Sequence, residues 1–138
     1  MEITELPFNR FIGIERSSVE GAVFALAADE KFTNHLGTVH ASALLALAEA
    51  TSGECLVAEF RSAPLSVLPV VRRIEAKFRK PASGAIYSRL GNLGSLMGEF
   101  RATLSARGRA LIAIPVDIFD MTGAHVLAAT VEWFVGNT

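Results

Sequence analysis

One carboxylate lies within an otherwise apolar segment. Glu49 follows Leu44, Leu45, Leu47 and Ala48 in a stretch rich in alanine and leucine. A carboxylate placed there loses hydration, so it is usually either paired with a cation or functional, and burial raises its pKa toward the range of a general base. The alternative is a helix glutamate that reaches solvent or an arginine. The residue types leave both interpretations open.

The start of the same segment carries a second group of polar candidates. A helix that begins at His40, Ala41 and Ser42 offers unpaired backbone N–H groups and the positive end of its dipole, which together can hold a carbonyl oxygen as it becomes negative. His40 could orient a substrate, or act as a cap or a packed side chain. Asn34 could position water or close an Asx turn. Thr38 and Ser42 most simply cap the helix, and no recognisable triad makes either a nucleophile.

Residues 40 to about 60 must position these groups. The stretch contains no proline, and its alanines and leucines surround the axis instead of forming one stripe, which predicts a helix buried on most sides. The many alanines would let a sheet approach closely. Gly53 costs about 1 kcal/mol relative to alanine in a helix and therefore indicates a close contact.

Five strands and one further helix are expected around this helix. Residues 95–107 have helical spacing at Leu96, Phe100 and Leu104, with Ser95 as a possible cap and Gly108 as a stop; strand alternation also fits, but we expect a short helix. The polar run 29–39 is expected to be a loop. Alternation or short apolar runs predict strands at 19–28, which looks central, and at 67–79, 85–90, 111–119 and 126–135.

Length and composition fit one soluble domain over residues 1–138. The single Cys55 cannot form an intrachain disulfide, and three histidines supply no cluster at zinc-ligand spacing, so we expect a cytoplasmic protein without a metal. The N-terminus lacks a signal-peptide layout, and no apolar run is expected to approach the roughly 18 to 20 residues that cross a bilayer. A net charge of −1 favours no nucleic acid. The 51% hydrophobic content leads us to expect that another copy covers some apolar surface.

Residues 34–53, NHLGTVHASALLALAEATSG, resemble the N-x-x-G-T-x-H-G-G-x-x-x-x-L-A-D/E-x-x-x-G signature of small hotdog-fold acyl-CoA thioesterases related to the phenylacetate-pathway enzyme, including DUF4442-type proteins. The resemblance extends less specifically through FIGI, FRKPA and GRALIAIPVDIFDMTGAHVLAAT. Two features depart from the pattern: His40-Ala41-Ser42 replaces HGG, and the stretch 84–108 is longer than usual. The positions in register are Asn34, Gly37, Thr38, His40, Leu47, Ala48, Glu49 and Gly53.

The resemblance implies an α+β hotdog fold, in which a curved antiparallel sheet of five or six strands wraps a long central helix. It also implies hydrolysis of an acyl-CoA to a free acid and coenzyme A, with no cofactor beyond the coenzyme A of the substrate. Glu49 would activate water or attack the carbonyl, and the Ala41 N–H would stabilise the oxyanion. Asn34 and His40 would support catalysis. The implied substrate-binding residues are Gly37, Thr38, Ser42, Arg79 and Lys80.

The spacing of the two main groups predicts a dimer. Ala41 and Glu49 are eight residues apart, which is about 12 Å along a helix and too far for one carbonyl to reach both. Antiparallel helices from two copies would set the start of one against the middle of the other, so we expect an isologous homodimer, alone or as a dimer of dimers. A basic cluster that includes Arg79 and Lys80 suits the phosphates of coenzyme A, although a solvated strand face explains it as well.

Two rival functions remain open. Within the same fold, an acyl-thioester hydratase or dehydratase would pair His35 with Glu49, but the Pro-Gly that precedes the helix in that family is absent. A non-catalytic acyl-CoA-binding module is favoured by the Ala41-Ser42 replacement and by Val71, which stands near the position where some relatives carry a serine or threonine that holds water.

Overall fold

Six strands and three helices make up the part of the chain that the structure, a computed structural model, describes, namely residues 1–61 and 67–137. Short 3-10 turns lie at Ile3–Glu5 and Glu30–Phe32. The elements in chain order are α1 (Pro7–Ile12), β1 (Glu15–Arg16), β2 (Phe24–Leu26), α2 (Ala41–Phe60), β3 (Val67–Phe78), β4 (Ile86–Leu90), α3 (Leu96–Arg107), β5 (Arg109–Asp120) and β6 (His125–Asn137).

The strands form one antiparallel sheet in the order β1-β2-β4-β5-β6-β3. Helix α2 packs across this sheet and contacts β2, β4, β5 and β6. This is the predicted α+β hotdog architecture, with six strands. Strand β3 is bound only to β6, with a bulge between Val71 and Arg73, so its other edge is open among the described residues.

Helix α2 lies at the centre of the core. Its small residues let the sheet pack close to it, and the helix is buried on most sides. Leu47 and Ala48 have no exposed surface, and Thr51 and Ser52 are equally buried. Each buried hydroxyl has a partner: Thr51 Oγ1 donates to Ser88 Oγ on β4 (2.6 Å), and Ser52 Oγ accepts from the indole N–H of Trp133 (2.9 Å). Such satisfied polar contacts fix the helix against particular strands, which apolar contacts alone do less well.

Gly53 lies at a close contact of α2 with Ile3 and Trp133. A Cβ at this position would lie 3.4 Å from Ile3 Cδ1 and 3.6 Å from Trp133 Cζ2. The close contact that the sequence predicted is therefore present, but it leaves room for one methyl group and no more.

The predicted helix near residues 95–107 is confirmed as α3. Phe100 and Leu104 are buried against the core, and Gly108 ends the helix in the left-handed conformation (φ 71°). An ion pair between Arg101 and Glu59 joins α3 to the end of α2.

Two details of the sequence-based fold were wrong. The strand predicted at 19–28 is shortened to β2, second from the sheet edge, because residues 17–23 form a turn in which Gly21 has φ 78° and β1 returns as its partner. Helix α1 and strand β1 were missed, since a six-residue helix and a two-residue strand are too short to show a period. Part of the predicted loop between α2 and β3, Ser62–Ser66, lies outside the described residues.

The expectation that no segment has the length and hydropathy of a membrane span also needs correction. Among the described residues, α2 meets both criteria, with a mean hydropathy of 1.3 over an 18-residue window, of which 61% is buried inside the fold. The helix that forms a core and a helix that crosses a bilayer have the same composition, because both are surrounded by apolar groups.

Substitution of Gly53 tests how closely α2 is packed. We expect Gly53→Ala to raise the free energy of unfolding by up to about 1 kcal/mol, because one methyl group fits and alanine favours the helix. Gly53→Val should lower it by roughly 1–3 kcal/mol, because its branched methyl groups overfill the contact with Trp133. Urea unfolding measures both.

Gly98 on α3 provides the matched control, because nothing lies within 4 Å of a Cβ built there. Gly98→Ala should gain about the same 1 kcal/mol from helix propensity alone. If Gly53→Val were as stable as Gly53→Ala, the close packing described here would be wrong.

Candidate active site

The start of α2 is capped by a histidine. The backbone of His40 is extended (φ −62°, ψ 139°), and its Nδ1 accepts a hydrogen bond from the Ser42 N–H at 2.9 Å. An accepting Nδ1 places the proton of the neutral ring on Nε2. The cap role expected of Thr38 and Ser42 is therefore wrong: Ser42 is the donor of the capping bond, and Thr38 is bonded to Asn34.

Ala41 carries a free backbone donor at the helix start. The N–H groups of Ala43 and Leu44 donate to the His40 carbonyl, and the Ser42 N–H is held by the His40 ring. Of these first four helical N–H groups, only that of Ala41 donates to no described residue. Ala41 is exposed, so a ligand oxygen can reach this donor.

Glu49 lies two turns further along α2 and is half-buried. Desolvation by burial raises the pKa of its carboxyl above the ordinary value. Within residues 1–61 and 67–137, its carboxylate has neither a hydrogen-bond donor nor a cation as a partner, in contrast to Glu54 on the same helix, which accepts from Arg16 and Arg61. An unpaired carboxylate with a raised pKa suits a general base.

Asn34 closes the loop that leads into α2. Its Oδ1 accepts from the Leu36 N–H (2.9 Å) and the Thr38 N–H (3.1 Å), and its Nδ2 donates to Thr38 Oγ1 (2.9 Å). Gly37 takes a left-handed conformation (φ 77°) to complete this turn. The structure thus shows the Asx turn that was one of the two interpretations of Asn34, and its amide is already engaged.

Two clefts flank the start of α2. The first, here called the basic cleft, has a volume of about 360 Å³. It is lined by Asn34, Thr38 and Ala41, and by Arg79 and Lys80, the two residues that follow the end of β3. Five of the predicted site residues are therefore brought together. Its remaining lining is Leu36, Val39, Leu44, Phe78, Pro81 and Ala82.

The second cleft, here called the aromatic groove, has a volume of about 290 Å³ and contains His40 and Ser42. Phe8, Phe11 and Ile12 of α1 form one side of it, and Lys31, Phe32, Ala43 and Ala46 complete it. Sequence analysis missed the contribution of α1. The signal available was the pair Phe8 and Phe11, three residues apart on one face of a helix turn that begins with a proline.

The remaining predicted residues are separate from these clefts. Gly37 borders a third cavity, beside Thr33 and Val39. Glu49 lines neither cleft and lies about 12 Å along the helix axis from Ala41. His35, which the hydratase hypothesis pairs with Glu49, is exposed on the loop and lines neither cleft. No three histidine, cysteine, aspartate or glutamate side chains of the described residues come together to hold a metal ion.

Comparisons with known proteins place the chain in a structural context. The family model of DUF4442, a domain of unknown function, matches residues 5–135. No curated protein matches the chain in sequence.

Among solved structures, a protein of unknown function from Pseudomonas aeruginosa, described as a probable thioesterase, is 23% identical with a TM-score of 0.81, over 99% of this chain and 91% of that one. A thioesterase from Haemophilus influenzae is 18% identical with a TM-score of 0.68, over 98% of this chain and 86% of that one. A Bacillus halodurans protein solved with CoA is 17% identical with a TM-score of 0.68, over 93% of this chain and 74% of that one. At these identities the likeness shows the shared fold.

Removal of the cap tests the geometry at the start of α2. His40→Ala should lower the free energy of unfolding by about 1 kcal/mol, because the Ser42 N–H loses its acceptor, whereas His40→Asn should retain most of the stability because asparagine is a good N-cap. His35→Ala on the same loop is the control and should change little. Equal unfolding midpoints in urea for His40→Ala and His35→Ala would contradict the capping role.

Proposed function

This chain belongs to the DUF4442 family and has the hotdog fold, and from that premise we propose that it is an acyl-CoA thioesterase, which hydrolyses a thioester to a free acid and coenzyme A. The observation that carries the proposal is the pair of unsatisfied groups on α2. Within residues 1–61 and 67–137, one is the N–H of Ala41, which has no acceptor, and the other is the half-buried carboxylate of Glu49, which has no partner. Thioester hydrolysis needs one such donor and one such base.

The proposed chemistry uses the two groups on one carbonyl. Glu49 takes a proton from water as the water oxygen attacks the carbonyl carbon, or it attacks that carbon itself. The carbonyl oxygen becomes negative while it accepts a hydrogen bond from the Ala41 N–H, at the positive end of α2. Collapse of the tetrahedral intermediate breaks the carbon–sulfur bond and releases the thiolate of coenzyme A, which takes the proton that Glu49 removed from water. If Glu49 attacks directly, collapse leaves a mixed anhydride on Glu49, and water then hydrolyses that anhydride to the free acid and the carboxylate.

A homodimer completes the site in this proposal, because about 12 Å of helix separates Ala41 from Glu49 in one chain. The open edge of β3 supports it, since an unpaired twelve-residue strand is a ready template for a second copy. Ile74 and Phe78 pair with Val131 and Leu127 of β6, both of which are buried in the core. The side chains of Ile74 and Phe78 are nevertheless 37% and 49% exposed. A second copy would cover them and bring its own α2 beside the first.

The basic cleft is the proposed site of the phosphates of coenzyme A. Arg79 and Lys80 are exposed there and share the cleft with Ala41, so a phosphate held by them would place the rest of the substrate near the oxyanion donor. The Bacillus halodurans protein, solved with CoA, supports a coenzyme A ligand for the fold.

Replacement of the carboxylate tests the base. Glu49→Gln should lower kcat/KM for thiol release by roughly 10²–10⁴-fold, because glutamine cannot take a proton. It should not lower stability at pH 7. Burial raises the pKa of Glu49 in the folded protein above its value in the unfolded chain. The charged carboxylate therefore lowers the free energy of unfolding once the pH is above the unfolded pKa, and the neutral amide of Gln removes this loss of stability.

The pH profile of the wild type gives a second measure of the same group. Burial raises the pKa of Glu49, so the base becomes protonated at a higher pH than an exposed glutamate, whose pKa is about 4.3. As the pH is lowered, kcat/KM should therefore begin to decrease above that pH. Glu59→Gln, on the same helix, is the matched control.

A wild type that hydrates enoyl-CoA without releasing thiol, or one inactive on a broad acyl-CoA panel, would contradict the proposal in favour of a hydratase or a binding module.

Removal of the donor can be tested with little disturbance of the fold. Ala41→Pro deletes only the free N–H, because proline is favoured at the first helical position and the extended backbone of His40 is compatible with a following proline. We expect kcat to decrease by about 10²–10³-fold at an unchanged unfolding temperature. Ala41→Gly keeps the N–H and should stay near wild type. Full activity of Ala41→Pro would remove this N–H from the mechanism.

A further inference from the structure

The aromatic groove exposes more apolar side chain than the fold requires. Phe8 is 64% and Phe11 is 74% exposed, although α1 is held to the body of the protein by other residues: buried Asn9 donates from Nδ2 to the Ile3 carbonyl (3.0 Å). Large aromatic side chains left this open at the wall of a concave site commonly contact a ligand. A left-handed Gly13 ends α1, and the chain continues into β1.

The floor of the groove belongs to the helix that carries Glu49. Ser42, Ala46 and Glu49 are spaced four and three residues apart, so they form one stripe along α2. Ala46 lies three residues, about 4.5 Å along the axis, from Glu49. Alanine at 43 and 46 leaves the space that a larger side chain would fill, and the groove therefore extends from the helix start along the first turns of α2.

The chemistry of the lining favours an apolar ligand with one polar end. Phe8, Phe11, Ile12 and Phe32 form the apolar walls, whereas the polar groups, His40 and Ser42, lie at the helix start. Lys31 is at the same groove, with its ammonium 5.1 Å from the centre of the Phe32 ring. A ligand with a carbonyl at the helix start and a hydrocarbon between the aromatic rings fits this distribution.

We propose that the aromatic groove binds the acyl group of the thioester, and that its size selects medium-chain aliphatic or single-ring aromatic acyl groups. This inference rests on the proposed function. The volume of about 290 Å³ lies just below the roughly 300–1,000 Å³ range of ligand pockets, so a long fatty acyl chain exceeds it. The occupant is the substrate's own hydrocarbon because the groove reaches the helix start at His40 and Ser42, on either side of the Ala41 N–H, which also faces the basic cleft proposed for coenzyme A.

The direct test measures binding without turnover. S-octyl-CoA, a thioether that cannot be hydrolysed, is compared with CoA by titration calorimetry against the wild type and the double variant Phe8→Ala/Phe11→Ala. S-octyl-CoA should bind the wild type more tightly than CoA, and in the double variant that advantage should shrink by roughly tenfold or more. Met121→Ala, which truncates another apolar side chain that is 68% exposed, should leave the advantage unchanged.

The second measurement fills the groove and records selectivity. Ala46→Trp should lower the ratio of kcat/KM for octanoyl-CoA to that for acetyl-CoA by at least about tenfold. Equal losses for both substrates, or S-octyl-CoA that binds wild type no better than CoA, would overturn the proposal. A change of oligomeric state in Phe8→Ala/Phe11→Ala would overturn it as well, because those side chains would then be covered by a second copy. If the wild type released no thiol from any acyl-CoA, the proposed function would fail while the thioether titration still decided the groove.

Discussion

Close packing of α2 against the sheet is the constraint on which the rest of the structure depends. The helix is buried on most sides, and Gly53 brings it within contact of Trp133 while Thr51 and Ser88 bond helix to strand. Such packing excludes large or charged side chains from most of α2. Glu54 keeps its charge because Arg16 and Arg61 pair with it. Glu49 has no described partner, and this contrast distinguishes a structural carboxylate from a candidate catalytic one.

The same rigid helix separates the two reactive groups that it carries. A straight helix fixes the distance from Ala41 to Glu49 at about 12 Å, and no side-chain rearrangement shortens a backbone distance. The proposed shared site therefore needs two helices, and the edge of β3 that is open among the described residues, with the exposed Ile74 and Phe78, is the surface proposed for a second copy. The open strand edge and the exposed apolar residues of one chain are therefore the proposed contact surface through which two chains form the site.

Much of this was predictable because α2 and the long strands repeat their patterns over many residues. Helix α2, the β5–β6 hairpin and α3 were predicted from the spacing of apolar residues and from the residues that start and stop each element. The motif from Asn34 to Gly53 indicated the fold. Features that depend on a few residues leave only short signals in the sequence and were not predicted. Helix α1 is too short to show periodicity, and the aromatic groove exists only because α1 folds back beside Ala43 and Ala46. The choice of His40 over Ser42 as the cap depended on backbone angles that residue types do not specify.

The claim that the site is shared between two chains is tested most directly by mixing two inactive variants. In a mixed dimer of Glu49→Gln and Ala41→Pro chains, one site carries both defects, while the other combines an intact Glu49 from one chain with an intact Ala41 N–H from its partner. After unfolding and refolding together in equal amounts, half of the dimers should be mixed, so thiol release should recover to about a quarter of the wild-type rate. Activity that stays at the level of the separate variants would contradict a site built from two helices.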